Sequence, residues 1–167
     1  MINQTLAKLV LNEALKTGAD FAELYIEDTT SHSVNYDNGI VEAVSNTTSL
    51  GVGLRLLKGN RSVYGYTNEI NKKNLLDLAN KLNAAFSESP MKTVDSFKTI
   101  KIKDLSPIVD SYFSTPIEEK LKMLDLAHQT MKNYSPLITR TICLIAASKK
   151  NVEIYNSDGL HFKDYKE

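Results

Sequence analysis

The sequence has a single cysteine, Cys143, in 167 residues. One thiol excludes an intrachain disulfide framework and any zinc site built on several cysteines, and it suits a reducing cytoplasm. Histidine is scarce too: His32, His128 and His161 are widely spaced, and His128 is followed by Gln129 with no second histidine four or five residues on. No zinc-helix histidine pair, phosphate-binding glycine loop, nucleophile elbow or C-x-x-C occurs. There is no apolar run near the ~18 residues that span a bilayer, and Met1-Ile2-Asn3-Gln4 lacks the basic start and apolar stretch of a secretion signal. Charge of one sign is also missing: 20 basic and 20 acidic residues cancel. Only Arg55, Arg61 and Arg140 are arginine, so the basic face of a nucleic-acid binder is not expected.

What is present is a foldable soluble composition, 42% hydrophobic and 24% charged, which fits a folded domain rather than a disordered tail. Leu6, Leu9, Val10 and Ala14 recur at helical spacing, predicting a helix from Asn3 to Thr17 stopped by Gly18. Phe21 to Asp28 alternates as a strand, with Ala22, Leu24 and Ile26 on the core side. Ser33 to Tyr36 is a second strand, closed by Asn38-Gly39, the strongest short hairpin signal. Ile40 to Asn46, Val52 to Leu57 and Arg61 to Thr67 follow as strands, the last two joined across Lys58-Gly59-Asn60. Leu75, Leu78, Ala79, Leu82 and Ala85 mark a helix ending near Phe86.

Residues 87–98 are polar and aperiodic and read as a linker between a first αβ unit, 1–86, and a second, 99–167, expected to be cut short at its C-terminus. In the second unit Thr99 to Lys103 is a short strand. Thr115-Pro116-Ile117-Glu118 has the chemistry of a capping box, Thr115 as N-cap. The helix it opens runs to Tyr134, with Ile117, Leu121, Leu124, His128 and Met131 on one face. Leu137 to Ala147, Val152 to Asn156 and Leu160 to Tyr165 are strands, the last pair turned at Ser157-Asp158-Gly159. The fold class is therefore α+β, an antiparallel-rich β-sheet with helices on one face. A shift of 120 places Gly39 on Gly159 and Leu24 on Leu144, the pattern of two similar helix-plus-hairpin units. Hairpin chemistry alone would place the same turn residues, so duplication stays open.

Gly18-Ala19-Asp20-Phe21-Ala22-Glu23-Leu24, then Asn38-Gly39-Ile40-Val41-Glu42, then Gly51-Val52-Gly53-Leu54-Arg55, then Tyr64-Gly65-Tyr66-Thr67-Asn68 occur in order. Together they resemble the N-terminal domain of the TldD/PmbA family, modulators of DNA gyrase and metallopeptidases by designation. Asn156-Ser157-Asp158-Gly159 and Asp164 resemble a later segment, and Tyr64 to Asn68 looks more TldD-type than PmbA (TldE)-type. The resemblance implies a zinc peptidase acting on peptides as a homo- or heterodimer of family subunits. The metal motif of such a protein, H-E-x-x-x-H, lies in its C-terminal part. That motif is not in these 167 residues. The expectation is a noncatalytic N-terminal piece whose partners include its own C-terminal domain, with zinc in the full-length protein and no cofactor in this chain. A stand-alone binding or assembly module is the alternative. Nucleic acid and membrane are not expected partners, and zero net charge counts against the DNA contact that the family designation invites.

Individual residues carry two readings each. Arg55 is a paired, partly buried arginine or a contact for a substrate carboxylate or for the missing domain. Tyr64 and Tyr66, with Ser62 and Asn68, pack under a helix or line a peptide groove. Arg55, Tyr64, Tyr66 and Asn68 are thus the candidate substrate or interface contacts, and no catalytic or metal-binding residue is expected. Glu23, Glu27, Asp28 and Glu42 read as a solvated acidic face. Gly51 and Gly53 are not a dinucleotide fingerprint, since position 56 is leucine and no helix opens there. His128 reads as a hydrogen-bonded semi-core residue, His32 as a solvated loop residue, and His161 as an exposed strand position.

Overall fold

A computed structural model describes residues 2–90, 92–101, 103 and 107–167. In chain order, α1 spans Gln4–Leu15, β1 Phe21–Asp37, β2 Ile40–Lys58, β3 Arg61–Thr67, α2 Lys72–Asn83 and β4 Lys98–Ile100. A 3₁₀ turn at Tyr112–Ser114 precedes α3, Ile117–Tyr134, then β5, Ile142–Asn156, and β6, Leu160–Lys166. The six strands order as β3-β2-β1-β5-β6-β4. Ile102, within the strand expected over 99–103, lies outside the described residues.

The sheet is mixed rather than antiparallel throughout. β2 and β3 pair antiparallel, from Val52 opposite Thr67 to Lys58 opposite Arg61. β4 and β6 pair parallel, with Thr99 opposite His161. A parallel pair needs a long crossover, and the chain between them supplies it, since it contains α3 and β5.

Two compact units divide the chain. The first comprises Met1–Asp28, Ser49–Lys103 and Asn151–Tyr165, the second Thr29–Thr48, Asp104–Lys150 and Lys166–Glu167. In the first unit the alternation of β1 is realised: Ala22, Leu24 and Ile26 are buried and join Val52, Leu54 and Leu56 of β2. Ala7, Val10, Leu11 and Ala14 of α1 and Leu75 and Ala79 of α2 close the same cluster. Each leucine buried there contributes about 1.5–3 kcal/mol of transfer free energy. Asn3 caps α1 by accepting from the Leu6 N–H at 2.8 Å, and Asn71 caps α2 by accepting from Asn74 N–H at 2.9 Å. Gly18, at φ +90°, ends the α1 turn where a β-carbon would meet Glu88. Gly65 leaves room for α2, whose Leu78 Cδ1 would lie 2.8 Å from an added β-carbon.

In the second unit Val34, Tyr36, Leu124 and Cys143 form the core, with Leu121, Met131 and Ile145 packed against it. Asn38 and Gly39 both take positive φ, as a two-residue type I′ turn requires. At the later turn only Gly159 does.

Three local expectations change. The segments 21–28 and 33–36 are one strand, as are 40–46 and 52–57, and the strands expected over 137–147 and 152–156 are likewise one. The Ser/Thr/Asn runs between them read as breaks, yet threonine is β-branched and suits an extended chain. The capping box does not form: Pro116 takes the N-cap position without a side-chain bond, and the Thr115 hydroxyl donates instead to the Ser111 carbonyl. The strand expected from Leu137 begins at Ile142.

Candidate functional site

The face of β1–β3 opposite the first unit's core carries the expected contact residues. Glu23, Tyr25 and Glu27 alternate with the buried positions of β1. Strand register sets Arg55 opposite Tyr64 and Gly53 opposite Tyr66, and directly opposed residues share a face. Tyr64 and Tyr66 are 61% and 78% exposed, with ring centroids 6.5 Å apart. The Tyr64 ring leans over Gly53, where an added β-carbon would sit 2.6 Å from its hydroxyl. Arg55 Nη2 donates to Glu23 Oε1 at 3.0 Å. Asn68 follows the end of β3 and is exposed. Arg55, Tyr64 and Tyr66 are therefore brought together, with the guanidinium already paired. The Tyr25 hydroxyl donates to Glu27 at 2.8 Å, and burial with that bond pushes its pKa up to about 12. The phenol stays neutral at physiological pH, so this face offers stacking area and hydrogen bonds rather than acid–base chemistry.

The histidines divide. His128 is buried on α3 and bonded through Nδ1 to the Thr141 hydroxyl, as expected of a semi-core residue. His32 is not a solvated loop residue: it lies in β1, half-buried, with Nδ1 2.6 Å from the Tyr112 hydroxyl. His161 is not exposed: it is 5% accessible.

His161 belongs to a buried polar network that sequence reasoning missed. Its Nε2 lies 2.9 Å from Glu153 Oε1, and its Nδ1 2.8 Å from Thr99 Oγ1. The partners assign the tautomer: Nε2–H donates to the carboxylate, and Nδ1 accepts from the threonine. Tyr155 stacks on the imidazole with ring centroids 4.4 Å apart and planes nearly parallel, and its hydroxyl donates to Glu153 Oε1 at 2.9 Å. Lys163 Nζ lies 3.0 Å from the same oxygen. Glu153 is 3% exposed, and its Oε2 has no hydrogen-bond partner among the described residues. Burial raises the Glu153 pKa, but the bonds from His161, Lys163 and Tyr155 outweigh it and hold the group below its ordinary value. For Tyr155, burial first and then the Glu153 contact raise the phenol well above its usual range.

Thr99, His161 and Glu153 have the connectivity of a hydroxyl–imidazole–carboxylate relay. Lys163 Nζ shares Oε1 with His161, so the carboxylate is not dedicated to the imidazole, and the arrangement favours a positioning role. Beside the network, a cleft of about 120 Å³ is lined by Ile26, Asp28, Leu50, Val152, Glu153 and Lys163, among others. Glu153 and Lys163 mix charge into positions that alternate with apolar ones, and such residues read as surface in a hydropathy pattern. The only signal was that Glu153–Tyr155 and His161–Lys163 each put polar groups at every second position.

Zinc, which the resemblance implies for the full-length protein, does not fit the side chains here. Among the described residues no three His, Cys, Asp or Glu side chains converge as metal ligands. Among them also no helix is long and apolar enough to cross a membrane.

Among the described residues these features define an α+β fold with a six-stranded mixed sheet and an open tyrosine-bearing face. Residues 22–86 match the family model described as PmbA/TldA metallopeptidase domain 1, and over that stretch the chain is similar to the TldD/PmbA family. It is 22% identical over 142 residues to a metalloprotease TldD homolog of Haemophilus influenzae, covering 84% of this chain and 30% of that protein. Its fold is similar to a modulator of DNA gyrase, so designated, from Bacteroides thetaiotaomicron, at TM-score 0.74 and 16% identity. That match covers 96% of this chain and 38% of the other. A Thermotoga maritima protein of the same designation matches at TM-score 0.69 and 16% identity, over 96% and 36% of the two chains. TldE from Thermococcus kodakarensis matches at TM-score 0.65 and 14% identity, over 96% and 36%. The chain thus spans between 30% and 38% of the length of these relatives.

Proposed function

We propose that this chain is the noncatalytic N-terminal part of a TldD-like zinc metallopeptidase, which helps assemble the subunits and gives peptides access to a metal centre held elsewhere. The observation that carries this is the match of residues 22–86 to the family's first domain in relatives about three times longer. Peptide access is supported by the open β1–β3 face, where Tyr64 and Tyr66 offer exposed aromatic area beside Arg55 and Asn68. Assembly is supported by the second unit. Ile142 and Leu144 are 63% and 60% exposed and alternate with Cys143 and Ile145, so they face away from α3. The two-residue turn sets Ile40 opposite Asp37, on that same outer side, and Val44 follows four residues on. Ile40 and Val44 are 71% and 57% exposed. A row of large apolar side chains of this kind suits an interface with another family subunit or with the C-terminal part. A reducing cytoplasm suits the one free, buried thiol of Cys143.

Reading the gene past codon 167 tests this against a stand-alone binding module. An open frame encoding H-E-x-x-x-H supports the peptidase reading. A stop codon at that point contradicts it.

A further inference from the structure

The cleft beside Glu153 has, in a lining residue, a buried carboxylate oxygen with no partner among the described residues. Glu153 is 3% exposed, and three donors crowd its Oε1 while Oε2 has none among the described residues. A buried carboxylate oxygen without a donor is a costly arrangement in a folded chain. It lies on β5 next to a cleft of about 120 Å³ whose walls include Ile26, Leu50 and Val152, with Asp28 and Lys163 also on the lining.

We propose that this cleft is a subsite for a basic side chain, lysine or arginine, of a bound polypeptide. This rests on the peptide-access reading and names what the chain would select. The alkyl stem lies along Ile26, Leu50 and Val152, and the cationic head meets Glu153 Oε2, with Asp28 adding negative charge. A bare metal ion suits the walls poorly, because hard cations want several oxygens at once. Lys163 already shows that an ammonium is tolerated at this carboxylate. Its side chain is 54% exposed, so it can swing into solvent and uncover Glu153 as the ligand enters. Lys163 is therefore an internal competitor.

The test is a titration of the chain with Nα-acetyl-arginine amide and Nα-acetyl-lysine amide, read from the methyl NMR signals of Ile26 and Leu50. Nα-acetyl-norleucine amide is the uncharged control. Saturable shifts are expected with both basic amides, at least roughly tenfold weaker with norleucine, as a charge-assisted contact predicts. Lys163→Ala should bind several-fold tighter, and Glu153→Gln about tenfold weaker. Should Glu153→Gln fold poorly, Leu50→Trp blocks the cleft from a position already 41% exposed and should abolish the shifts with the fold intact. Absent shifts, equal shifts with norleucine, or weaker binding in Lys163→Ala would each overturn the proposal. A failed titration beside a gene that encodes H-E-x-x-x-H sinks the subsite and leaves the peptidase reading standing. Binding beside a stop codon at 168 does the reverse.

Discussion

His161 Nε2 lies 2.9 Å from Glu153 Oε1, and both side chains are almost wholly buried in the first unit. Lys163 and Tyr155 share that oxygen, so the carboxylate is favoured in its charged form and its pKa falls below the ordinary 4.5. A depressed folded-state value means stability that is fully present above pH 4.5 and is lost as pH falls through the folded value. Glu153→Gln should therefore cost about 1–3 kcal/mol at pH 7. The deficit should shrink as pH drops below the ordinary carboxylate value. Urea unfolding at several pH values checks both the size and the trend. A deficit that grew toward acid would mean the carboxylate is not the stabilised form.

Gly65 is required by α2 rather than by its own backbone. An added β-carbon would lie 2.8 Å from Leu78 Cδ1 and 3.3 Å from Leu82 Cδ2. Gly65→Val should cost about 1–3 kcal/mol through overpacking. Truncating both leucines to alanine should relieve part of that cost in a double-mutant cycle measured by chemical denaturation.

Tyr66 is 78% exposed and lies outside the first unit's core cluster. Tyr66→Ala should change stability by no more than about 0.5 kcal/mol. Under the proposed function, the same substitution in the full-length protein should raise KM for peptide several-fold while kcat holds, the pattern of lost ground-state binding. A fall in kcat at constant KM would move Tyr66 out of the access path.

Ile40, Val44, Ile142 and Leu144 together leave an apolar outer face on the second unit. The isolated chain should self-associate at micromolar concentrations and above, seen as a mass that rises with concentration in light scattering. Val44→Glu with Leu144→Glu should return it to monomer. A clean monomer over a wide concentration range would count against the assembly face.

The regular parts of this fold were legible. Leu6, Val10 and Ala14 announced α1, and Asn38-Gly39 announced a turn whose two residues do take positive φ. Ala22, Leu24 and Ile26 went inward as their alternation required. Strand length was not legible, because residues 45–49 carry no apolar signal yet stay extended, their backbone paired within the sheet. The tyrosine face could be read, since Tyr64 and Tyr66 share parity on a strand bounded by clear turns. The Glu153 network could not. Leu160 and Phe162 suggested that His161 points outward, whereas its hydrogen bond to Glu153 and stacking on Tyr155 hold it inward. Networks of this kind satisfy buried polar groups through partners distant in sequence, and no local periodicity reports them.

Zinc content and peptidase activity of the purified 167-residue chain test the central claim most directly. The account predicts well below one zinc per chain after dialysis and no hydrolysis of unstructured peptides, with activity appearing only when the metal-bearing part is present. One zinc held per chain, with peptide hydrolysis that a chelator abolishes, would contradict it.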